Sequence, residues 1–258
     1  MIGVRPSTLT PSSGATSQSW PLGLPSPGEA LSHWPLQRLT RAPQAAAVAF
    51  TGLLVALPVF VQAPWVRHAP FSACLFTVVL LASGLLLARS ERPITRQAGE
   101  LLVGFSGSWL AGSLFWGWAR LHPLCHLPVE AVALPLALGG LRTRWRLACG
   151  FYLGSLLGTA ATDAAIAATG LMPLWPSALA AAPAEAVLVL QQAACQVLQP
   201  ASLLLVGAFA LTLTQLSRWL WQRGETGRVA GAALASTLIV DGLFLLAALV
   251  SPHLSGLI

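Results

Sequence analysis

Seven apolar runs dominate the sequence between residues 44 and 250, and each has the length of a membrane-crossing helix. An α-helix rises 1.5 Å per residue, so about 20 apolar residues cross a hydrocarbon layer about 30 Å thick. The chain is 55% hydrophobic and only 9% charged, whereas soluble domains carry about 25% charged residues. The sequence therefore predicts an all-α, polytopic membrane bundle of about seven transmembrane helices. Their predicted bounds are 44–64, 70–88, 99–119, 126–141, 147–170, 200–221 and 228–250.

The arginines test this number of spans and set the orientation of the bundle. With seven spans, twelve of the 14 basic residues lie on the side of the N-terminus, and only Arg67 and Arg120 lie opposite. Omitting the span 126–141, or adding 185–199 as an eighth span, distributes the basic residues more evenly between the two sides of the membrane. The positive-inside rule therefore favours seven helices with a cytoplasmic N-terminus. Orientation and anionic lipid explain the net charge of +6, so the predicted partners are the lipid bilayer and other membrane proteins, not nucleic acid.

Two segments fall outside the predicted spans. Residues 1–43 are rich in Pro, Ser and Gly and contain no long apolar run. This composition predicts a disordered cytoplasmic tail, followed by a transmembrane helical domain at 44–258. Residues 171–199 form an outer loop. Its second half, 185–199, is predicted to be a helix that lies in the membrane interface or dips into the bundle.

Three acidic residues lie inside predicted spans, all in the outer half of the bilayer: Glu130, Asp163 and Asp241. An ionisable side chain near the bilayer centre costs about 2.5–3.5 kcal/mol on insertion scales. The strings "GTAATD" and "STLIVD" also place a threonine four residues before each aspartate. Residues four apart share a helix face, so Thr159 and Thr237 join the three acids as candidates for a polar intramembrane site.

Two interpretations of these acids remain open. The functional one is a proton or cation site, or a contact to a polar substrate, because intramembrane acids often mark such sites. The structural one is a buried hydrogen bond between helices, with the aspartate protonated or paired to Thr, Gln or Arg. Pro128 and Pro135 interrupt the fourth span, and broken spans line the sites of transporters. This interruption favours the functional interpretation.

Small residues at four-residue spacing predict close helix contacts in two spans. Gly154 and Gly158 form such a stripe in the fifth span, and Gly104, Ser108 and Gly112 form one in the third. The string "GFSG" in the third span is similar to the G-x-S-G motif of rhomboid-type serine proteases. Its serine lies near the cytoplasmic end, far from every later histidine, so a catalytic dyad is not predicted.

The string "HPLCHLPVE" brings His122, Cys125 and His126 close to Glu130 at the start of the fourth span. These residue types bind transition metals. Their spacing matches no standard signature, so neither a metal nor a cofactor is predicted. Cys125 can also pair with Cys195 in an outer disulfide, or both can remain free thiols.

Five strings carry a resemblance to a known family, in the order "LPVFVQAPWVR", "GFSGSWLAGSLFWGWAR", "HLPVEAVALPLAL", "FYLGSLLGTAATD" and "STLIVDGLF". Together they resemble a family of cyanobacterial multi-pass integral membrane proteins that is catalogued only as a domain of unknown function. The resemblance covers about residues 50–250. It implies a cyanobacterial plasma or thylakoid membrane and assigns no role to any residue.

The buried acids favour a transporter or permease-like subunit for an ion or small solute. The alternative is a non-catalytic assembly or accessory protein of the photosynthetic membrane. An enzyme is not expected. Presenilin-type aspartyl proteases also use two intramembrane aspartates, but their tyrosine-aspartate and G-x-G-D motifs do not occur here, so this activity remains a remote alternative.

Overall fold

A computed structural model describes residues 44–250, except for the side chains of Pro183 and Val250. The predicted tail, 1–43, lies outside the described residues. No described residue lies in a strand, so the predicted all-α class is confirmed. The helices of the described range are α1 Gln44–His68, α2 Pro70–Leu87, α3 Pro93–Leu114, α4 Pro123–Gly140, α5 Arg146–Ala168, α6 Leu174–Ala180, α7 Pro183–Val197, α8 Pro200–Trp221 and α9 Gly224–Val250.

Proline and glycine set several of these boundaries. Pro70, Pro93 and Pro200 each stand at the start of a helix, where the missing N–H would have no partner in any case. Gly170 follows α5 with φ 72°, and Gly224, the first residue of α9, has φ 79°. Glycine adopts this left-handed conformation without steric cost, which permits the sharp turns after α5 and α8.

Six of the described helices are long and apolar enough to cross a membrane: α1, α2, α4, α5, α8 and α9. Helix α3, which contains most of the predicted third span 99–119, is not among them, because its polar residues and its glycines make it less apolar than the other six. Ten of its 22 residues are buried, and several of these are glycine or serine. It nevertheless runs antiparallel to α2 over the length of that helix. Trp109 Nε1 donates to Ala73 O at 2.8 Å near one end, and Gly99 packs on Ala88 near the other. If α2 crosses the membrane, so does α3, and the bundle has seven crossings.

The hydrophobic core lies where α1, α3, α5 and α9 meet. Phe105 is its centre, with ring centroids 5.7 Å from Trp109 and 6.1 Å from Phe151. The core residues come mainly from the first half of each of these four helices: Ala47, Leu54, Leu101, Phe105, Trp109, Leu147, Phe151, Val229 and Ala233. The first halves of these helices face the predicted cytoplasmic side, so this half of the bundle is filled with packed side chains.

Glycines allow the helix backbones around this core to touch. A Cβ atom at Gly154 would lie 2.5 Å from Ala230 O, and one at Gly158 would lie 2.6 Å from Thr237 Oγ1. Gly104 lies directly against the backbone of Ala148. Of the predicted packing glycines, Gly154 and Gly158 thus lie at the contact of α5 with α9, Gly104 at that of α3 with α5, and Gly112 next to Gln62 of α1.

Helix α4 is broken. It consists of a 3₁₀ turn Pro123–Cys125, an α segment His126–Glu130, a second 3₁₀ turn Ala131–Ala133 and an α segment Leu134–Gly140. Proline donates no hydrogen bond to the preceding turn, which leaves backbone groups at the break without helical partners. Tyr152 on α5 satisfies two of them, because its hydroxyl accepts from Ala133 N at 3.1 Å and donates to Glu130 O.

Candidate functional site

The second halves of α1, α3, α5 and α9 surround a cavity of about 650 Å³. All five residues that the sequence predicted for a polar intramembrane site line it: Glu130, Thr159, Asp163, Thr237 and Asp241. Ser108 and Gly112, predicted as packing residues of α3, also line this cavity. The structure therefore brings together, in one space, polar residues that are up to 111 positions apart in the sequence.

One face of α5 forms the polar floor and wall of the cavity. Ser155, Thr159, Thr162, Asp163 and Thr169 all line it, at spacings of three, four and seven residues that place side chains on one helix face. From the first to the last of these residues the helix rises about 21 Å. The next turn toward the helix start belongs to the hydrophobic core, which closes the cavity at this end.

Asp163 pairs with His126 across α5 and α4. The Nδ1 atom of His126 lies 3.0 Å from both carboxylate oxygens, and both side chains are largely buried, 13% and 14% exposed. A carboxylate only accepts, so Nδ1 is the donor of this pair. Phe115 packs against the imidazole with ring centroids 4.3 Å apart, which fixes the plane of the ring beside the carboxylate.

Asp241 on α9 accepts a hydrogen bond of 2.6 Å from Thr162 Oγ1 on α5. The threonine four residues before it, Thr237, instead donates to its own backbone at Ala233 O, 3.1 Å away, and packs on Gly158. The repeated Thr-to-Asp spacing therefore brings both threonines to the cavity without joining either to its own aspartate. The hydrogen bond from Thr162 is the kind of contact between helices that a structural role for Asp241 predicts. Asp241 also lines the cavity, which a role in binding requires.

Two tryptophans pack next to His126 and form an aromatic wall beside the His126–Asp163 pair. Trp116 and Trp175 stack with ring centroids 5.8 Å apart and planes 19° apart, and Trp175 lies 5.8 Å from the His126 ring. Trp175 Nε1 donates to Arg120 O at 2.9 Å. Arg120 and Arg67 also line this end of the cavity. These are the two arginines that the sequence places on the outer side.

Gln62 is a site residue that the sequence analysis missed. It lies at the end of a π-helical segment of α1, Pro58–Gln62, and is only 1% exposed. Its Nε2 donates to Trp109 O and, at 2.7 Å, to Ser113 Oγ, whereas its Oε1 has no hydrogen-bond partner among the described residues. The signal in the sequence was a glutamine in an otherwise apolar run that is flanked by prolines. In the structure this run includes a π-helical segment, and such segments often mark functional sites.

The wall opposite the polar face is apolar and comes mainly from α7, α8 and α9. Leu190, Val197, Phe209, Leu213 and Phe244 contribute to it. Helix α7 includes residues 185–197 of the predicted interfacial segment, 185–199. Its buried face lines the cavity, and it is joined to the end of α5 by a hydrogen bond of 2.8 Å from Gln196 Nε2 to Thr169 O. The cavity is thus polar on one side and apolar on the other.

The weak metal candidates do not form a cluster. His122 and Cys125 are exposed, and His126 faces Asp163. Within residues 44–250, no group of three His, Cys, Asp or Glu side chains is placed to hold a metal ion. All four cysteines of the described range are free thiols, so the disulfide considered for Cys125 and Cys195 is not formed.

Comparison with known proteins identifies the family. The family model described as a protein of unknown function (DUF3120) matches residues 51–249. The matched range contains every residue that lines the cavity. The search of curated proteins and the search of solved structures each found no match. Because the match covers most of the chain, this integral membrane protein belongs to the DUF3120 family.

Proposed function

We propose that this protein is a permease-like transporter for an ion or small solute, and that the cavity is its binding site. The observation that carries the proposal is the convergence of Glu130, Asp163 and Asp241 on one cavity of about 650 Å³. Binding sites for small molecules typically have volumes of about 300–1,000 Å³. Burying acids in a membrane is costly, and three of them around one space favour a role in binding.

The packing also supports access from one side at a time, which transport requires. The cavity reaches the helix ends where Arg67 and Arg120 lie. Toward the other end, the aromatic core around Phe105 fills the space between the helices. The bundle therefore has the features of a transporter open to the predicted outer side and closed to the cytoplasm.

A polar clamp supports the closed end. Glu225 at the start of α9 accepts from Gln97 of α3 at 2.6 Å and from Arg146 of α5 at 3.2 Å. The ion pair with Arg146 is partly exposed, and such pairs contribute only about 0–1 kcal/mol. A contact this weak can hold three helix ends together and still open during a transport cycle.

The resemblance found in the sequence supports a cyanobacterial plasma or thylakoid membrane as the place where this transporter works. The broken helix α4 supplies the cavity with Glu130 and His126. Discontinuous helices line the binding sites of many transporters.

Charge movement across a reconstituted membrane tests the proposal. Proteoliposomes on a solid-supported membrane are exposed to concentration jumps of protons, inorganic cations, small amines and small carboxylates. We expect a protein-dependent current for at least one of these, reduced more than about tenfold in both Asp163→Asn and Asp241→Asn, since each variant removes a buried charge from the site.

Two matched variants control for the loss of a carboxylate elsewhere. Glu91→Gln and Glu185→Gln alter exposed acids outside the cavity, and both should retain the wild-type current. The proposal is contradicted if no solute produces a protein-dependent current, or if both aspartate variants behave like wild type. Silent liposomes together with a stoichiometric membrane-protein partner in mild detergent would favour the assembly role.

A further inference from the structure

We propose that the ligand of this cavity is a small organic cation, a protonated amine that carries an apolar group. The inference rests on the proposed function, because it names the class of solute that the cavity takes. It is argued from three features of the lining: its hydrogen-bond acceptors, its aromatic wall and its apolar wall.

The deep part of the cavity is rich in acceptors. Asp163, Asp241 and Glu130 line it with carboxylates. Gln62 adds the carbonyl oxygen Oε1, which is buried and has no partner among the residues that the structure describes. A ligand with N–H groups would find acceptors in the carboxylates that line this part, whereas an anion would meet three acidic side chains.

The basic residues of the lining, Arg67, Arg120 and His126, belong to the outer ends of their helices. His126 is engaged with Asp163 at 3.0 Å. Arg67 lies at the end of α1, and Arg120 follows the π-helical segment Phe115–Ala119. Both arginines therefore lie toward the outer end of the cavity, whereas Asp241 lies about nine residues before the outer end of α9. The charge of the lining changes from positive at the outer end to negative in the interior.

The stacked tryptophans favour an organic cation over a bare metal ion. Trp116 and Trp175 present a continuous aromatic surface next to His126. The faces of such rings attract ammonium groups by about 0.5–2 kcal/mol. The part of the chain between residues 44 and 250 has no cluster of three side chains suited to a metal ion.

The apolar wall favours an amine with a hydrocarbon part. Leu190, Phe209 and Leu213 face the cavity from α7 and α8, across from the polar face of α5. A compact ion would leave this wall without contacts, and a cavity of about 650 Å³ far exceeds the size of one ion. An amine with its ammonium group at Asp241 and its hydrocarbon part on this wall makes contacts with both the polar and the apolar residues of the lining.

A set of four matched probes tests the ligand class. Purified protein in lipid nanodiscs is titrated with n-butylammonium chloride, n-butanol, sodium butyrate or potassium chloride, and both tryptophan fluorescence and the apparent Tm are recorded. Empty nanodiscs correct for partitioning into lipid. We expect saturable fluorescence changes and a higher Tm with n-butylammonium only, and at least tenfold weaker binding in Asp241→Asn.

Asp241→Asn suits this test because its amide oxygen can still accept from Thr162, so the contact between α5 and α9 is retained. Glu185→Gln, an exposed acid that does not line the cavity, should bind n-butylammonium like wild type. The inference is overturned if butyrate or butanol binds as well as the amine, if none of the probes binds, or if Asp241→Asn binds the amine unchanged.

The ligand class and the transport function can fail separately. Saturable binding of n-butylammonium without any protein-dependent current would support the ligand class and contradict the transport function. A protein-dependent current that requires Asp163 and Asp241 but is driven by butyrate would support transport and overturn the ligand class.

Discussion

Replacing Gly154 by valine is expected to force α5 away from α9 and to destabilise the bundle by about 3 kcal/mol or more. An added Cβ atom would lie 2.5 Å from Ala230 O and 2.8 Å from Ala230 Cα. Both are backbone atoms, which cannot move aside as the end of a flexible side chain can, and overpacking of this kind typically costs about 1–3 kcal/mol or more. In lipid nanodiscs, the apparent Tm should fall by about 6–12 °C.

Gly207→Val on α8 is the matched control. A Cβ atom at this position meets nothing within 4 Å, and valine is a better helix former than glycine. This variant should therefore keep or slightly raise the Tm. Equal losses of Tm in the two variants would contradict the packing of α5 on α9 through Gly154.

The second prediction concerns the pair of His126 and Asp163. Removing one partner of a buried hydrogen bond leaves the other group unsatisfied, which costs about 1–3 kcal/mol and more where that group is charged. Here both side chains are slightly exposed, at 14% and 13%, so we expect about 2–3 kcal/mol for His126→Ala and for Asp163→Ala. The double variant should be clearly more stable than the sum of the two losses predicts, with a coupling of about 1 kcal/mol or more.

Asp163→Asn provides the control for this cycle. The asparagine oxygen can still accept from His126 Nδ1, so its loss of stability should be much smaller than that of Asp163→Ala. Strictly additive losses in the double variant would show that the two side chains do not interact in the folded protein. Apparent Tm values in the same nanodiscs, with unfolding followed by tryptophan fluorescence, measure all four variants.

The membrane bundle was predictable from sequence because long apolar runs and the distribution of arginine depend on local composition. Helix α3 was predicted as the third span, although its buried glycines and serines lower its hydropathy. The sequence did not show that these small residues lie against other helices. This became visible only from the packing of α3 on α2 and α5.

The candidate site was predictable one residue at a time but not as an arrangement. Asp163 and Asp241 were identified by the cost of their burial, yet their partners lie on other helices. Thr162 on α5 donates to Asp241, whereas Thr237, on the same helix as Asp241, donates to the backbone of its own helix. His126 was considered as a metal candidate with its sequence neighbours, whereas its actual partner is 37 positions away.

Trp175 shows a second limit of the sequence. It lies in the short helix α6 of the outer loop, where a tryptophan is usual at a membrane interface. Only the fold of this loop over the end of α3 brings it into a stack with Trp116. Such contacts depend on loop conformation, which periodicity does not encode.

The most direct test of the central claim is the accessibility of the cavity floor. Thr159→Cys is introduced into a chain in which Cys74, Cys125, Cys149 and Cys195 are replaced by alanine, and oriented vesicles are treated with membrane-impermeant methanethiosulfonates. The matched control, Ala233→Cys, lies in the fully buried core. Labelling at both positions is quantified by mass spectrometry.

A cavity that opens to the predicted outer side and has a negatively charged interior makes a definite prediction for this measurement. A cationic reagent added outside should modify Thr159→Cys at least about tenfold faster than an anionic one, since a charged cleft concentrates ions of opposite sign. Neither reagent should react from the inner side or with Ala233→Cys. An unreactive Thr159→Cys, labelling only from the inner side, or faster reaction with the anionic reagent would contradict the account.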